Sequence, residues 1–158
     1  MTIPPAVTLA LPDEAATQAL GAKLAELARP GDVVALSGDL GAGKTTLARA
    51  FVRRLAGADE EVPSPTFTLV QSYDTAAGTV WHFDLYRLEA PDEALELGLD
   101  DAFADGISLI EWPERLGGLL PAARLDVVLE TDAAETARRA TLRGWPGRLD
   151  GLAPGGLA

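Results

Sequence analysis

Nine residues, Gly38-Asp39-Leu40-Gly41-Ala42-Gly43-Lys44-Thr45-Thr46, match the pattern G-x-x-x-x-G-K-[ST] at every fixed position. Few short stretches constrain a fold as tightly. Glycines without a Cβ let the loop curl, so that successive backbone N–H groups form a nest for an anion. The pattern needs a buried strand before it and a helix after it, and both are legible. Asp32-Val33-Val34-Ala35-Leu36-Ser37 is nearly all apolar, as a strand covered on both faces of a parallel sheet must be. After the loop, Leu47, Phe51 and Leu55 recur every four residues and Gly57 stands where a helix would end. The helix N-terminus then points its dipole at the nest. Gly41, Ala42, Gly43, Lys44, Thr45 and Thr46 are therefore the candidate phosphate contacts of ATP. In this reading Lys44 reaches the β/γ oxygens and Thr45 Oγ ligates Mg²⁺.

Composition narrows the partners. At 158 residues the chain is expected to be one domain, and 47% hydrophobic with 23% charged residues reads as globular. A formal charge of −11, with Lys23 and Lys44 as the only lysines, argues against a surface that holds nucleic acid by itself. The absence of cysteine removes disulfides and thiolate metal sites. No signal peptide or long apolar run is visible, so a cytoplasmic chain with no membrane partner is expected.

In chain order, Val7 to Leu11 reads as a strand and Pro12-Asp13-Glu14 as the start of a helix through Leu27, where Glu14 to Thr17 are candidates to border a nucleotide base. Beyond the loop helix, two prolines stiffen Ser64-Pro65-Thr66, which reads as a nucleotide-sensitive switch or as a plain lead-in to the next strand. Thr68–Tyr73 and Thr79–Phe83 flank Asp74–Gly78 as an antiparallel hairpin with a five-residue loop, so the sheet should be mixed. The second arm ends in Asp84, and a later apolar strand, Ile107 to Ile110, ends in Glu111. A carboxylate at the end of such a strand can hold Mg²⁺ or orient the attacking water, and spacing alone does not rank the two. His82, the sole histidine, reads as structural. Pro91 to Ala104 reads as one acidic helix, Arg124 to Glu130 as a strand, and Ala137 to Trp145 as its antiparallel neighbour. The Gly/Pro/Ala-rich stretch 146–158 is expected to be a mobile tail on a domain of residues 1–145. The chain has no asparagine, so the Asn-Lys-x-Asp element that many GTPases use for guanine is absent and ATP is favoured. A small-molecule kinase, or a binding module that senses nucleotide without turnover, are the alternatives.

Four motifs in this order, Gly38–Thr46, Ser64-Pro-Thr-Phe-Thr-Leu-Val70, His82-Phe-Asp-Leu-Tyr-Arg87 and Leu109-Ile-Glu-Trp-Pro113, resemble the bacterial TsaE (YjeE) family. The likeness runs from about Leu11 to Glu130. It implies an α/β single-domain P-loop NTPase-like fold with a mixed central sheet flanked by helices. It also implies a small ATPase that works with the TsaB and TsaD proteins in threonylcarbamoyladenosine modification beside the tRNA anticodon, meeting tRNA only through them. On the residues, it implies Thr45 and Glu111 as Mg²⁺ contacts, Asp84 as an acid needed for hydrolysis alongside Lys44 and Thr66, and Trp112 as a nucleotide-responsive side chain. Glu14 and Arg138 or Arg139 are implied near the base.

Overall fold

A computed structural model describes residues 6–39 and 41–152. Seven strands form one sheet in the order β1-β7-β6-β2-β5-β4-β3. They are β1 (Val7–Leu11), β2 (Val33–Ser37), β3 (Val70–Thr75), β4 (Gly78–Asp84), β5 (Ile107–Glu111), β6 (Leu125–Thr131) and β7 (Arg138–Arg143). The centre, β6-β2-β5-β4, is parallel, while β3 closes one edge and β7 with β1 the other through antiparallel pairings. The expected mixed α/β sheet is present.

The apolar run of β2 is buried at Val33, Val34, Ala35 and Leu36, because both faces of the sheet are covered. On one face Val34, Leu36 and Leu109 pack with Leu20 and Leu24 of helix α1 (Glu14–Leu27) and Leu47 and Phe51 of α2 (Lys44–Ala56). On the other, Val33, Phe83 and Ile110 pack with Leu99 of α3 (Leu99–Asp105) and with Ala94 and Leu116 of two 3₁₀ segments. Asp13 caps α1, its carboxylate accepting the Ala16 N–H at 2.8 Å.

Three expectations change. Thr75 pairs with Gly78, so the hairpin turns over Ala76 and Ala77 alone, its ladder prolonged by Thr79 Oγ1 donating to Asp74 and Thr75 Oγ1 to the Gly78 carbonyl. The acidic segment is not one helix: Pro91–Leu97 is 3₁₀ and α3 begins after Gly98. Gly98 has φ 91°, and the Trp81 ring lies 3.1 Å from where its Cβ would be, so chain direction and packing both break there. Finally, residues 146–152 are not a loose tail. Arg148 forks onto Asp32 at 2.7 and 3.0 Å and donates to the Leu27 carbonyl, while Leu149 and Leu152 are buried against the α1–α2 face. The packed body therefore includes residues up to Leu152, and the remainder of the expected tail, 153–158, lies outside the described residues.

Candidate functional site

The parallel strands deliver the site to one edge of the sheet. β2 runs out at Ser37 into the glycine loop, and α2 starts at Lys44, directly after Gly43 at φ 101°. In the ladder Leu36 stands opposite Glu111 and Glu111 opposite Asp84, so the two strand-end carboxylates arrive side by side next to the loop. Topology thus joins residues 66 positions apart: Thr45 Oγ1 donates to Glu111 Oε1 at 2.9 Å.

A cleft of about 240 Å³ opens here, lined by Gly41, Gly43, Lys44, Thr45, Thr46, Thr66, Asp84, Tyr86, Glu111 and Trp112. Lys44 is buried; its Nζ donates to the Gly38 and Asp39 carbonyls and sits 3.5 Å above the Trp112 ring. Desolvation pulls the Lys44 pKa below the usual lysine value, against the opposing pull of the charges on Glu111, Glu114, Asp84 and Asp39. Trp112 itself is in the left-handed region at φ 60°, which turns its ring back over the lysine and against Tyr86, 5.1 Å between centroids. Asp84 is also engaged at both oxygens: Oδ2 accepts the Thr66 hydroxyl at 3.1 Å and Oδ1 the Tyr86 N–H at 3.1 Å. Ser64 and Thr66 hydroxyls are 2.8 Å apart, so the proline-stiffened loop is latched to the end of β4.

The residues expected at the site divide. Lys44, Thr45, Thr46, Thr66, Asp84, Glu111, Gly41 and Gly43 share the cleft. Ala42 turns its methyl into the core and offers only backbone. Glu14 lies outside the cleft, in a hollow of about 90 Å³ with Thr17, Thr46, Thr136 and Arg138. The Arg138 guanidinium is directed at the Gly41 and Ala42 carbonyls.

His82, read from sequence as merely structural, belongs to the site. Two residues before Asp84 on the same face of β4, its Nε2–H donates to Glu111 Oε2 at 2.6 Å, fully buried. The alternation placing His82 and Asp84 on one face of β4 was readable; that Glu111 joins them from a neighbouring β5 was not.

Among the described residues no group of three or more acidic or histidine side chains converges to hold a metal ion. A Mg²⁺ site of few protein ligands, completed by phosphates and water, is the arrangement such a cation accepts. Thr45 Oγ1 and Glu111 Oε1, 2.9 Å apart, are spaced as neighbouring ligands of an octahedral ion about 2.1 Å from each, so the residues present fit it.

A glycine loop between a buried parallel strand and a helix, with acids at the ends of the adjoining strands, defines a P-loop NTPase-like α/β protein. Residues 11–140 match the family described as "Threonylcarbamoyl adenosine biosynthesis protein TsaE". Relatives named tRNA threonylcarbamoyladenosine biosynthesis protein TsaE include that of Rickettsia felis, 43% identical and covering 77% of this chain and 71% of its own. That of Haemophilus influenzae is 42% identical over 86% of this chain and 88% of its own. The crystal structure of Bacillus subtilis YdiB superposes with a TM-score of 0.76 at 30% identity, covering 94% of this chain and 91% of the other. The chain belongs to the TsaE family.

Proposed function

We propose that this protein binds ATP with Mg²⁺ in the cleft and hydrolyses it slowly, under the control of TsaB and TsaD, in support of threonylcarbamoyladenosine modification of tRNA in the cytoplasm. One observation carries the reading: Lys44, Thr45, Thr66, Asp84 and Glu111, spread over 68 positions of sequence, line a single cleft beside the glycine loop. Family membership and the names of the relatives support the pathway. In the described residues no helix is long and apolar enough to cross a membrane.

The chemistry asked of the residues is positional. Loop N–H groups and Lys44 hold the phosphates, for which Lys44 exchanges the Gly38 and Asp39 carbonyls. Thr45 and Glu111 are the residues that would hold Mg²⁺, whose contribution when bound is to neutralise charge on the phosphate oxygens. His82 keeps the Glu111 carboxylate turned to the cleft. Asp84, its two oxygens oriented by Thr66 and Tyr86, accepts a hydrogen bond and then a proton from the attacking water; as the water oxygen bonds to the γ-phosphorus, the bond to the β,γ-bridging oxygen breaks, ADP leaves, and Asp84 returns the proton to solvent while the water's other proton stays on the released phosphate.

Phosphate release is to be measured from ATP and GTP by the chain alone, then with TsaB and TsaD added. Slow, ATP-selective release that changes with the partners is the expected result, and Lys44→Ala should abolish it. Absence of release under both conditions, or a fully active Lys44→Ala, overturns the proposal.

A further inference from the structure

Arg138, the first residue of β7, grips the phosphate loop from 96 and 97 residues away. Its Nε donates to the Ala42 carbonyl at 3.1 Å and Nη2 to the Gly41 carbonyl at 2.9 Å. Nη1 donates to the Glu135 and Ala137 carbonyls, each at 2.8 Å, which ties the same guanidinium to its own turn. Four of the five N–H donors of an arginine are thus used on backbone oxygens, leaving one for any ligand. We infer that Arg138 is a positioning residue for the phosphate loop, a brace on the Gly41 and Ala42 carbonyls that keeps the Ala42 N–H closing the loop turn and leaves the Gly43 N–H for the phosphates.

The physical argument rests on the peptide plane. In a trans peptide the carbonyl and the N–H of the same unit point in opposite directions, and the described residues contain no cis bond. With the Gly41 carbonyl fixed on Arg138, the Ala42 N–H is turned away from it, where the Asp39 carbonyl accepts it at 3.1 Å and closes the turn. With the Ala42 carbonyl fixed as well, the plane of the peptide that carries the Gly43 N–H is set too, beside the cleft that Gly43 lines. Gly41 at φ 80° and Gly43 at φ 101° lack the Cβ that would otherwise restrict these units, so an external anchor decides which way they face. Strand β6, paired with β7, meets the loop a second time at Gly38, where an added Cβ would stand 2.4 Å from the Leu129 carbonyl. A brace acts on phosphate, not on base.

This inference rests on the phosphate-loop reading above, and the experiment separates their failures. Binding of ATP, GTP and inorganic tripolyphosphate, which has no base or sugar, is measured by calorimetry for the wild type, Arg138→Ala, Arg138→Lys and Lys44→Ala. Arg138→Ala is expected to weaken ATP and tripolyphosphate by the same factor, about tenfold or more, the worth of one charge-assisted hydrogen bond. Arg138→Lys, which keeps the charge but not the fork, is expected to weaken both in the same proportion. Amide exchange at Ala42, whose N–H is held on the Asp39 carbonyl, should quicken in unliganded Arg138→Lys, a readout that also carries the test where the alanine variant does not fold. Weakening of ATP with tripolyphosphate unchanged makes Arg138 a base or sugar contact and overturns the brace. Wild-type affinities in Arg138→Lys, or in both variants, overturn it too. A wild type that binds neither ATP nor tripolyphosphate, or a Lys44→Ala that binds both normally, overturns the phosphate-loop reading instead.

Discussion

Replacing His82 by phenylalanine removes one hydrogen bond at the centre of the site, together with a buried Nδ1 that has no partner among the described residues, so the cost of the lost bond is an upper bound on the destabilisation. Glu111 is 2% exposed, and its two oxygens are served by Thr45 and His82. Phenylalanine fills much the same space in the fully buried position but offers no donor, so Oε2 is left desolvated and unpartnered. Removing a hydrogen bond to a buried charged group costs about 1.5–3 kcal/mol. For a chain of this size each kcal/mol lowers Tm by about 2–4 °C, so His82→Phe should melt about 3–12 °C below wild type. His82→Ala adds a ring-sized cavity and should lose about 3–5 kcal/mol in all. His82→Gln, with an amide donor, should recover part of the loss. Thermal unfolding followed by circular dichroism, without nucleotide or Mg²⁺, reads all three. If His82→Phe melts within about 1 °C of wild type, the bond, net of the relief of Nδ1, contributes less than about 0.5 kcal/mol and the reasoning is wrong. The same variants should need more Mg²⁺ for half-maximal turnover, because an untethered carboxylate spends less time facing the cleft.

Gly38→Ala should be among the most damaging small substitutions: φ is 144° and the new methyl would stand 2.4 Å from the Leu129 carbonyl, so a loss of about 2–4 kcal/mol is expected in urea unfolding. Arg148→Ala leaves Asp32, 14% exposed, without its forked partner and should cost about 1–3 kcal/mol by the same measurement. Because burial lowers the Lys44 pKa from 10.5 and a bound triphosphate would raise it, binding at alkaline pH should take up protons. Calorimetry in buffers of different ionisation enthalpy near pH 9.5 checks the sign: no uptake, or release, refutes the assignment of Lys44 to the phosphates.

What could be read from sequence was what local periodicity and short spacing encode. The β2 run, the four-residue spacing of Leu47, Phe51 and Leu55, and the paired apolar strands ending in Asp84 and Glu111 all became elements at nearly the expected bounds. What could not be read depends on which strands are neighbours. That Thr45 meets Glu111, and His82 meets it from the other side, follows from the order β2-β5-β4. Gly98 looked like an interior glycine of an amphipathic helix until Trp81, a residue of another strand, occupied the space its side chain would need. The glycines and prolines of 146–152 suggested looseness, whereas Arg148 reaching Asp32 and Leu152 reaching the core are contacts over more than a hundred positions.

Charge at the cleft bears on why turnover by the chain alone should be slow. Lys44 is the one cation among the residues lining it, facing the carboxylates of Asp84 and Glu111. Phosphoryl transfer in P-loop enzymes gains about 10³–10⁵ from an additional arginine, supplied by the chain itself or by a partner. Arg138 and Arg87, neighbours of residues at the site, are both committed. Arg138 holds the loop carbonyls, and Arg87 lies 4.5 Å from the ring of Phe67, itself 80% exposed next to Thr66. If the missing cation were Arg87, swinging from Phe67 into the cleft, Arg87→Ala should lower the turnover of the isolated chain by two orders of magnitude or more. The stacked geometry predicts the opposite: turnover of the isolated chain within about threefold of wild type, since the cation that would accelerate it is not among the residues that reach the phosphates. A hundredfold fall in Arg87→Ala, measured as phosphate release without partners, would show that the chain carries its own finger and would remove the need for an outside cation.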